Sequence, residues 1–363
     1  MSAPTVFGII GGSGFRAQFY LRIAKALPER FQVGGMVVRD EQKGLEMERL
    51  WGVPTYRSLD ELADKVKMDY VVLSVSKAAS LDYLLELFER GIPVLTETPP
   101  ASDLAGLHTL HERLTRKGAR IQVAEQYQFQ PMHAARRSII SADRLGPVSE
   151  ATVSISQTYH AVSLMRTMLG VTFENASIRG MRFESPMLAG PDRSGPPKEE
   201  KRISAPRDIA WLDFEGKLGI YDFTNNQHRS WTRSNHLSVR GERGELFDTR
   251  LSTLADFSTP LHLEMKRINK GEAENLEGYF LQGILAGESW VYRNPFAPAR
   301  LYDDEIAIAT CLQKMADYAA GGPSFYGLPE ASQDHYVGMC IEQAILSGET
   351  VQTITQPWAA VNE

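Results

Sequence analysis

The strongest constraint on the fold is a glycine-rich turn that directly follows an apolar, β-branched run. Thr5–Ile10 predicts a buried strand, and the next residues read Gly11-Gly12-Ser13-Gly14-Phe15-Arg16-Ala17 before a helical pattern begins. Counted from Gly12, the spacing is G-x-G-x-x-A, which lets backbone amides at a helix N-terminus bind a diphosphate. Gly12 is predicted to make the tight turn and Ala17 to pack the helix on the strand. The predicted diphosphate contacts are Gly12, Ser13, Gly14 and Phe15. The alternative is a tight turn that binds no ligand.

The alternation of strands and helices continues through residues 1–127. Further strands are predicted at Gln32–Val38, Tyr70–Val75, Pro93–Thr96 and Arg120–Ala124, with amphipathic helical patterns between them. Strands that alternate with helices form a parallel sheet whose crossover helices cover both faces. The sequence therefore predicts a Rossmann domain, a doubly wound parallel sheet, over residues 1–127.

Residues 128–363 follow a different pattern. A strand is predicted at Val148–Ser156 and a helix at His160–Leu169, and alternating strands follow between residues 178 and 240. A Pro- and Gly-rich loop is predicted to interrupt these strands at Ser185–Pro206. Two helices come near the end of the sequence, at Asp303–Ala319 and Pro329–Ser347. The predicted fold class is α/β, with a C-terminal α+β domain whose large, mostly antiparallel sheet serves substrate binding and oligomerisation. The final helix and tail could return to the first domain.

The composition excludes several classes of protein. Hydrophobic residues make up 43% of the 363 residues and charged residues 23%, as in a folded globular chain. The formal charge of −6 provides no basic surface for nucleic acid. Cys311 and Cys340 are far apart and have no neighbouring histidine, so neither a disulfide nor a metal site is predicted. Because neither a leader pattern nor an apolar run of about 20 residues is found, we expect a cytoplasmic protein without membrane contact.

The end of the second predicted strand bears on the choice of nucleotide. It reads Val37-Val38-Arg39-Asp40. A carboxylate at this point accepts hydrogen bonds from the ribose hydroxyls of NAD, whereas an arginine pairs with the 2′-phosphate of NADP. Arg39 therefore favours NADP(H), Asp40 keeps NAD open, and a solvated Arg39 is the alternative.

A set of short segments shares its order and spacing with one known family. The segments are Gly8–Gly14, Gly52–Glu61, Asp69–Leu73, Gly91–Pro99, Phe129–Pro131, Leu145–Val148, Tyr326–Asp334 and Pro357-Trp358. Over nearly the whole chain they resemble the Gfo/Idh/MocA family of glucose-fructose oxidoreductases and inositol dehydrogenases. The resemblance implies a Rossmann domain joined to a C-terminal α/β domain, and a nicotinamide cofactor that also contacts Ser74, Ser76 and Glu97.

Two motifs of that family are incomplete here. Its Glu-Lys-Pro tripeptide reads Glu97-Thr98-Pro99, so Thr98 stands where a lysine aligns the substrate hydroxyl. Its Asp-x-x-x-His pair keeps the histidine as His160, counted back from Gly170, but Ser156 replaces the aspartate. The resemblance therefore implies a divergent site that retains one of these two catalytic groups.

His160 is the predicted catalytic acid or base. At a helix N-terminus the helix dipole disfavours the imidazolium form, which leaves a neutral ring able to accept a proton. Tyr159 is the predicted assisting group, and Thr98, Tyr127 and Arg166 are the predicted substrate contacts. The alternatives are a packed ring for Tyr159, hinge packing for Tyr127 and a solvated helix cation for Arg166.

Taken together, the sequence predicts an NAD(P)-dependent oxidoreductase acting on the CH-OH group of a sugar, polyol or related hydroxy compound. Two alternatives stay open. One is a redox-inactive, nucleotide-binding regulatory protein. The other is a lyase, hydrolase or epimerase that uses tightly bound NAD for a transient oxidation. The expected partner is a carbohydrate-like small molecule, and by analogy with the family we expect a homodimer or homotetramer.

Overall fold

A computed structural model describes residues 3–192, 194–225, 227–271 and 278–362. Its first sheet has six parallel strands in the order β3-β2-β1-β4-β5-β6. The strands are β1 (Thr5–Ile10), β2 (Phe31–Val37), β3 (Thr55–Tyr56), β4 (Tyr70–Leu73), β5 (Val94–Thr96) and β6 (Ile121–Val123). The connecting helices are α1 (Ala17–Ala26), α2 (Glu41–Trp51), α3 (Leu59–Lys65), α4 (Lys77–Glu89) and α5 (Leu104–Arg113). This strand order is that of a doubly wound dinucleotide-binding sheet, which confirms the predicted fold of this part of the chain.

Short-range chemistry sets the limits of these helices. The Ser58 hydroxyl accepts a hydrogen bond from Glu61 N at 3.2 Å and caps α3, and Asp103 caps α5 through Gly106 N at 2.8 Å. Gly52 ends α2 in the left-handed region, with a φ of +67°. Each strand therefore reaches the same edge of the sheet, where loops carry the next functional side chains.

The second sheet has eleven strands and is mostly antiparallel, as the sequence predicts. Its order is β16-β15-β14-β13-β12-β11-β7-β10-β9-β8-β17, and β7 and β10 run parallel. The strands are β7 (Val148–Ser154), β8 (Ser177–Leu188), β9 (Arg202–Asp213), β10 (Leu218–Thr224), β11 (His236–Gly241), β12 (Gly244–Phe247), β13 (Arg250–Leu254), β14 (Pro260–Lys270), β15 (Phe280–Ala286), β16 (Ser289–Arg293) and β17 (Val351–Gln352). The helices of this part are α6 (Pro131–Ser141), α7 (Thr158–Leu169), α8 (Asp303–Ala319) and α9 (Leu328–Ser347).

The predicted loop at Ser185–Pro206 is wrong at both of its ends. β8 and β9 extend into it as a long hairpin that pairs Leu188 with Arg202. Its prolines misled the prediction, because proline is tolerated where no ladder hydrogen bond is needed. Pro186 lies on a stretch of β8 with no second neighbour, since β17 pairs only near residue 178. Pro206 lies just beyond Arg207, the last residue of β9 that pairs with β10.

C-terminal segments pack on the first sheet. Helix α8 shares a buried core with β1 and β4, and Tyr70 donates a hydrogen bond to Leu312 O at 3.2 Å. Just before α9, a strap formed by residues 325–327 lies along β6. Gln122 Oε1 accepts hydrogen bonds from the amides of Phe325 and Tyr326, each at 2.9 Å, and Val123 N donates to Tyr326 O at 2.8 Å. Within the described part of the chain, no helix is both long and apolar enough to span a bilayer.

Candidate functional site

The glycine turn closes tightly on the end of β4. Gly11 has a φ of +87°, and a Cβ atom added to it would lie 2.1 Å from Ser74 O, so only glycine fits there. A Cβ atom on Gly12 would lie 2.7 Å from Met36 Cβ on β2. The left-handed turn is therefore made by Gly11, whereas the spacing predicted Gly12. Gly12 instead permits close packing on β2.

A cleft of about 420 Å³, here called the glycine cleft, opens over this turn where β1, β2 and β4 end. Five residues predicted to bind the cofactor line it: Ser13, Gly14, Arg39, Ser74 and Ser76. Gly12 lies outside this lining, and so does Phe15, which is 62% exposed and packs edge-on against Phe19. The structure therefore brings together residues that are more than 60 positions apart in the sequence.

The rim of the glycine cleft combines a helix cap with two cations. Asp40 Oδ1 accepts a hydrogen bond from Lys43 N at 2.9 Å and caps α2. Arg39 is exposed, and its side chain and that of Lys43 both line the cleft. Positive charge therefore faces the space beside β2, while one oxygen of the nearby carboxylate is engaged as a cap.

A second centre lies at the end of β6, where Glu125 meets α7. His160 Nδ1 is 2.6 Å from Glu125 Oε2, and Glu125 Oε1 accepts a hydrogen bond from Tyr127 N at 3.0 Å. Glu125 is fully buried, whereas 21% of the His160 side chain is exposed. A buried carboxylate at Nδ1 holds a proton on that nitrogen and leaves Nε2 as the atom that can accept another.

Two polar neighbours complete what we call the His160 centre, which comprises Glu125, Tyr127, Ser156 and His160. The Tyr127 ring stacks on the imidazole with centroids 4.6 Å apart. The Ser156 hydroxyl donates to Tyr127 OH at 2.9 Å, and burial raises the pKa of Tyr127. The position that holds an aspartate in the resembled family therefore bonds to the tyrosine here. Sequence reasoning missed Glu125, although a lone carboxylate directly after a buried strand was a usable signal.

Arg16 connects the glycine cleft to the His160 centre. It follows the glycine turn directly, and its Nε lies 3.0 Å from Glu97 Oε1 at the end of β5. Its Nη2 donates to Gln126 Oε1 at 2.9 Å, beside Glu125. Tyr20 also donates to Glu97, at 2.5 Å, and its burial raises its pKa well above the usual value. The carboxyl ends of β1, β5 and β6 are thus joined by one polar network, which sequence reasoning did not predict.

Comparison with known proteins agrees with this arrangement. Residues 6–125 match the family model GFO_IDH_MocA, described as the oxidoreductase family with an NAD-binding Rossmann fold. That part of the chain belongs to the Gfo/Idh/MocA family. No curated protein sequence matches the chain.

Solved structures resemble the fold of the whole chain. An NAD-binding oxidoreductase from Klebsiella pneumoniae has a TM-score of 0.70 at 14% identity, covering 98% of this chain and 100% of its own. A myo-inositol dehydrogenase from Corynebacterium glutamicum ATCC 13032 has a TM-score of 0.66 at 14% identity, covering 97% and 100%. A levoglucosan dehydrogenase in complex with NADH and levoglucosan has a TM-score of 0.67 at 15% identity, covering 96% and 99%.

The glycine cleft fits the NAD-type cofactor that the Gfo/Idh/MocA match implies. Glycine at position 11 keeps the turn against β4, and Gly14 leaves little room for a larger residue, since its Cβ would lie 3.3 Å from Gly11 O. The close approach of backbone to diphosphate needs such a turn before a helix N-terminus. Ser74 and Ser76 on the facing wall offer hydroxyl groups to the same space.

The Glu-Thr-Pro segment differs chemically from the Glu-Lys-Pro motif of this family. Glu97 is engaged by Arg16 and Tyr20, and Thr98 is half-buried in the loop after β5. A guanidinium therefore lies beside the conserved carboxylate, although it comes from α1 instead of the loop itself. The predicted cofactor contact of Glu97 and substrate contact of Thr98 remain predictions.

Two predicted site residues have buried partners. Tyr159 is 7% exposed, its hydroxyl lies 3.3 Å from Tyr326 OH, and burial raises its pKa well above the usual value. Arg166 is 6% exposed and forms an ion pair with Asp334, which also bonds to Tyr326. These contacts favour the packing alternative for Tyr159. They also replace the solvated-cation alternative for Arg166 with a buried ion pair between α7 and α9.

Proposed function

We propose that the protein is an NAD(P)-dependent oxidoreductase acting on the CH-OH group of a sugar, polyol or related hydroxy compound. The observation that carries this proposal is the His160–Glu125 pair at the sheet edge that also holds the glycine cleft. An oxidoreductase of this type needs a proton acceptor next to the nicotinamide, and the pair supplies one within a network that starts at the glycine turn. Carbohydrate-like ligands in solved structures of similar fold support the substrate class.

In this proposal His160 acts as the acid or base through Nε2. Glu125 fixes the imidazole by its bond to Nδ1 and stabilises the ring when Nε2 gains a proton from the substrate hydroxyl. Tyr127 restrains the ring by stacking, and Arg16 keeps Glu97 and Gln126 in place. When bound, the nicotinamide supplies the hydride chemistry. Tyr159 is not assigned a proton-transfer step, because its hydroxyl is buried against Tyr326.

The substrate contacts follow from position. Thr98 comes directly after Glu97, and Tyr127 carries a hydroxyl bonded to Ser156 beside His160. Both could contact a polyhydroxylated substrate that reaches His160. Arg166 is not included, because its guanidinium is bound to Asp334 and to backbone carbonyls.

Among the two nucleotides, NADP(H) is the proposed preference. Arg39 and Lys43 line the cleft beside β2, where a 2′-phosphate would lie, and Asp40 already caps α2. Two cations and an engaged carboxylate favour a phosphate over a free ribose hydroxyl.

Assembly and compartment are further proposals. Met181, Phe183 and Trp211 are each more than 40% exposed, and they alternate with the residues of β8 and β9 that face the helices. Such an apolar sheet face supports a homodimer or homotetramer, which sedimentation would test. The cytoplasm remains the predicted compartment, with Cys311 and Cys340 free and buried.

The deciding experiment separates binding from turnover. The protein is titrated with NADPH and NADH by fluorescence, and a panel of sugars and polyols is then screened for a change in nicotinamide absorbance. We expect saturable binding and turnover of at least one compound. Tight binding without turnover on a broad panel would instead favour a regulatory protein or an enzyme with a transient oxidation, and absence of binding would contradict all three.

A further inference from the structure

A separate cavity lies on the far side of the N-terminus of α7. It has a volume of about 420 Å³ and is enclosed by α7, the C-terminal part of α9 and strands β8, β9 and β10. Thr158 lines it, whereas His160 contacts Glu125 and Tyr127 on the first-sheet side of the same helix. We call it the α7–α9 cavity, and neither the family match nor the proposed reaction gives it a role.

The charges of this cavity are unequal. Arg182 and Asp208 form a two-pronged ion pair across β8 and β9, with distances of 2.6 and 2.9 Å, so their charges offset each other. Glu342 on α9 accepts one hydrogen bond from the Thr158 hydroxyl at 3.2 Å. Among the described residues, no cation lies within ion-pair distance of Glu342. The lining of the cavity therefore carries a surplus negative charge at Glu342.

The walls supply the other contacts that carbohydrates use. Tyr221 and Phe223 lie two residues apart on β10 and line the same side, where aromatic rings can pack against a sugar face. Gln157 and Asn225 add side-chain amides, which donate and accept hydrogen bonds with hydroxyl groups. Burial and the carboxylates of Asp208 and Glu342 raise the pKa of Tyr221, in agreement with a negative local field.

We propose that the α7–α9 cavity binds a polyhydroxylated amine, such as an amino sugar, whose ammonium group pairs with Glu342. The aromatic walls and amide side chains take the ring and its hydroxyls, and the Arg182–Asp208 pair offers a donor and acceptor fork at one end. A carboxylated sugar is disfavoured, because its charge would face Glu342. This site does not depend on the proposed oxidoreductase activity.

The test measures binding directly, with no cofactor present. The full-length protein is titrated by calorimetry with D-glucosamine, D-glucose and D-glucuronate at neutral pH. We expect glucosamine to bind more tightly than glucose, glucuronate to bind weakest, and added salt to weaken glucosamine selectively. No saturable glucosamine binding, or glucuronate binding as tight as that of glucosamine, would overturn the proposal.

Matched variants locate the binding. Glu342→Gln removes the charge but keeps an acceptor for Thr158, so the fold is retained, and the affinity for glucosamine should fall about tenfold to that of glucose. Glu349→Gln makes the same change at an exposed position outside the cavity and should have no effect. His160→Ala should also leave glucosamine binding unchanged. Equal losses in the Glu342 and Glu349 variants, or loss of binding in the His160 variant, would place the amine elsewhere and contradict the site.

Discussion

The glycine cleft and the His160 centre lie at the same sheet edge but are built in different ways. The cleft is shaped mainly by backbone, with Gly11 pressed against Ser74 O and short side chains on the facing wall. The His160 centre depends on long side chains from distant elements, above all the fully buried Glu125 and the imidazole 35 residues away. Damage to the cleft should therefore appear as lost binding, and damage to the centre as lost rate.

The largest expected effect tests the rate side of this contrast. His160→Ala removes the proton acceptor, so turnover should fall by about 10²- to 10⁴-fold, the usual contribution of a positioned acid or base. Nucleotide affinity, measured by fluorescence titration, should stay within about twofold of the unaltered protein, which is about 0.4 kcal/mol. A variant that keeps full turnover would remove His160 from the mechanism.

Gly11→Ala tests the binding side. An alanine at a φ of +87° is strained and would clash with Ser74 O, which displaces the turn at an energy of roughly 1–3 kcal/mol. Nucleotide affinity should fall on the order of 10- to 100-fold. Gly52→Ala is the control, because Gly52 also has a positive φ but a Cβ there meets no atom within 4 Å. If both variants bind equally well, the cleft does not hold the diphosphate.

Glu125→Gln sharpens the comparison within the centre. Loss of a charge-assisted hydrogen bond, about 1.5–3 kcal/mol, should lower turnover by roughly 10- to 150-fold and change its pH profile. Affinity for the nucleotide should not change. The discriminating readout is the pH profile, because a variant that was merely less stable would lose rate at every pH without a change in shape.

Arg39→Ala probes the rim of the cleft. Removing one of two cations beside the expected 2′-phosphate should weaken NADPH binding by about tenfold, near 1.4 kcal/mol, and leave NADH binding unaffected. Competitive titration with the two nucleotides measures both constants. Equal weakening of NADH and NADPH would mean that Arg39 contacts a group that the two share.

The smallest effect concerns stability and separates it from the pH profile of turnover. Burial, together with Arg136 whose Nη1 lies 3.1 Å from His133 Nδ1, lowers the pKa of His133 well below its usual value. The unfolded histidine gains a proton below about pH 6.5 while the folded one stays neutral. Acidification should therefore reduce the free energy of unfolding, with a slope from this group approaching about 1.4 kcal/mol per pH unit. Denaturation at pH 7 and pH 5 should show a shallower dependence in His133→Gln, and an unchanged slope would exclude this origin.

The two regions also differ in how far the sequence predicts them. The cleft follows from local patterns, since Thr5–Ile10, the glycine turn and the strand ends at Arg39 and Ser74 each have a recognisable signal. One detail was wrong, because the G-x-G spacing does not show which glycine has the positive φ. Arg16–Glu97 and Glu125–His160 were missed since such contacts depend on how strands and helices are brought together, which no local periodicity encodes.

The second sheet shows the same limit on a larger scale. Alternating patterns predicted its character, but the continuation of β8 and β9 into the proline-containing segment depends on which neighbour each strand has. Strands between residues 244 and 293 had no prediction, because short hairpins with mixed polarity lack a clear period. Tertiary pairing, not propensity, decides these elements.

The strap of residues 325–327 has a consequence for gene architecture. It covers the border of the first sheet at β6, so the nucleotide-binding half draws part of its own framework from about 200 residues downstream. A fragment ending near residue 127 would carry a naked strand able to recruit other chains, and is expected to aggregate when expressed alone. The two halves are therefore poorly suited to exchange as independent cassettes, and recombination between relatives should succeed only when both ends of the gene travel together.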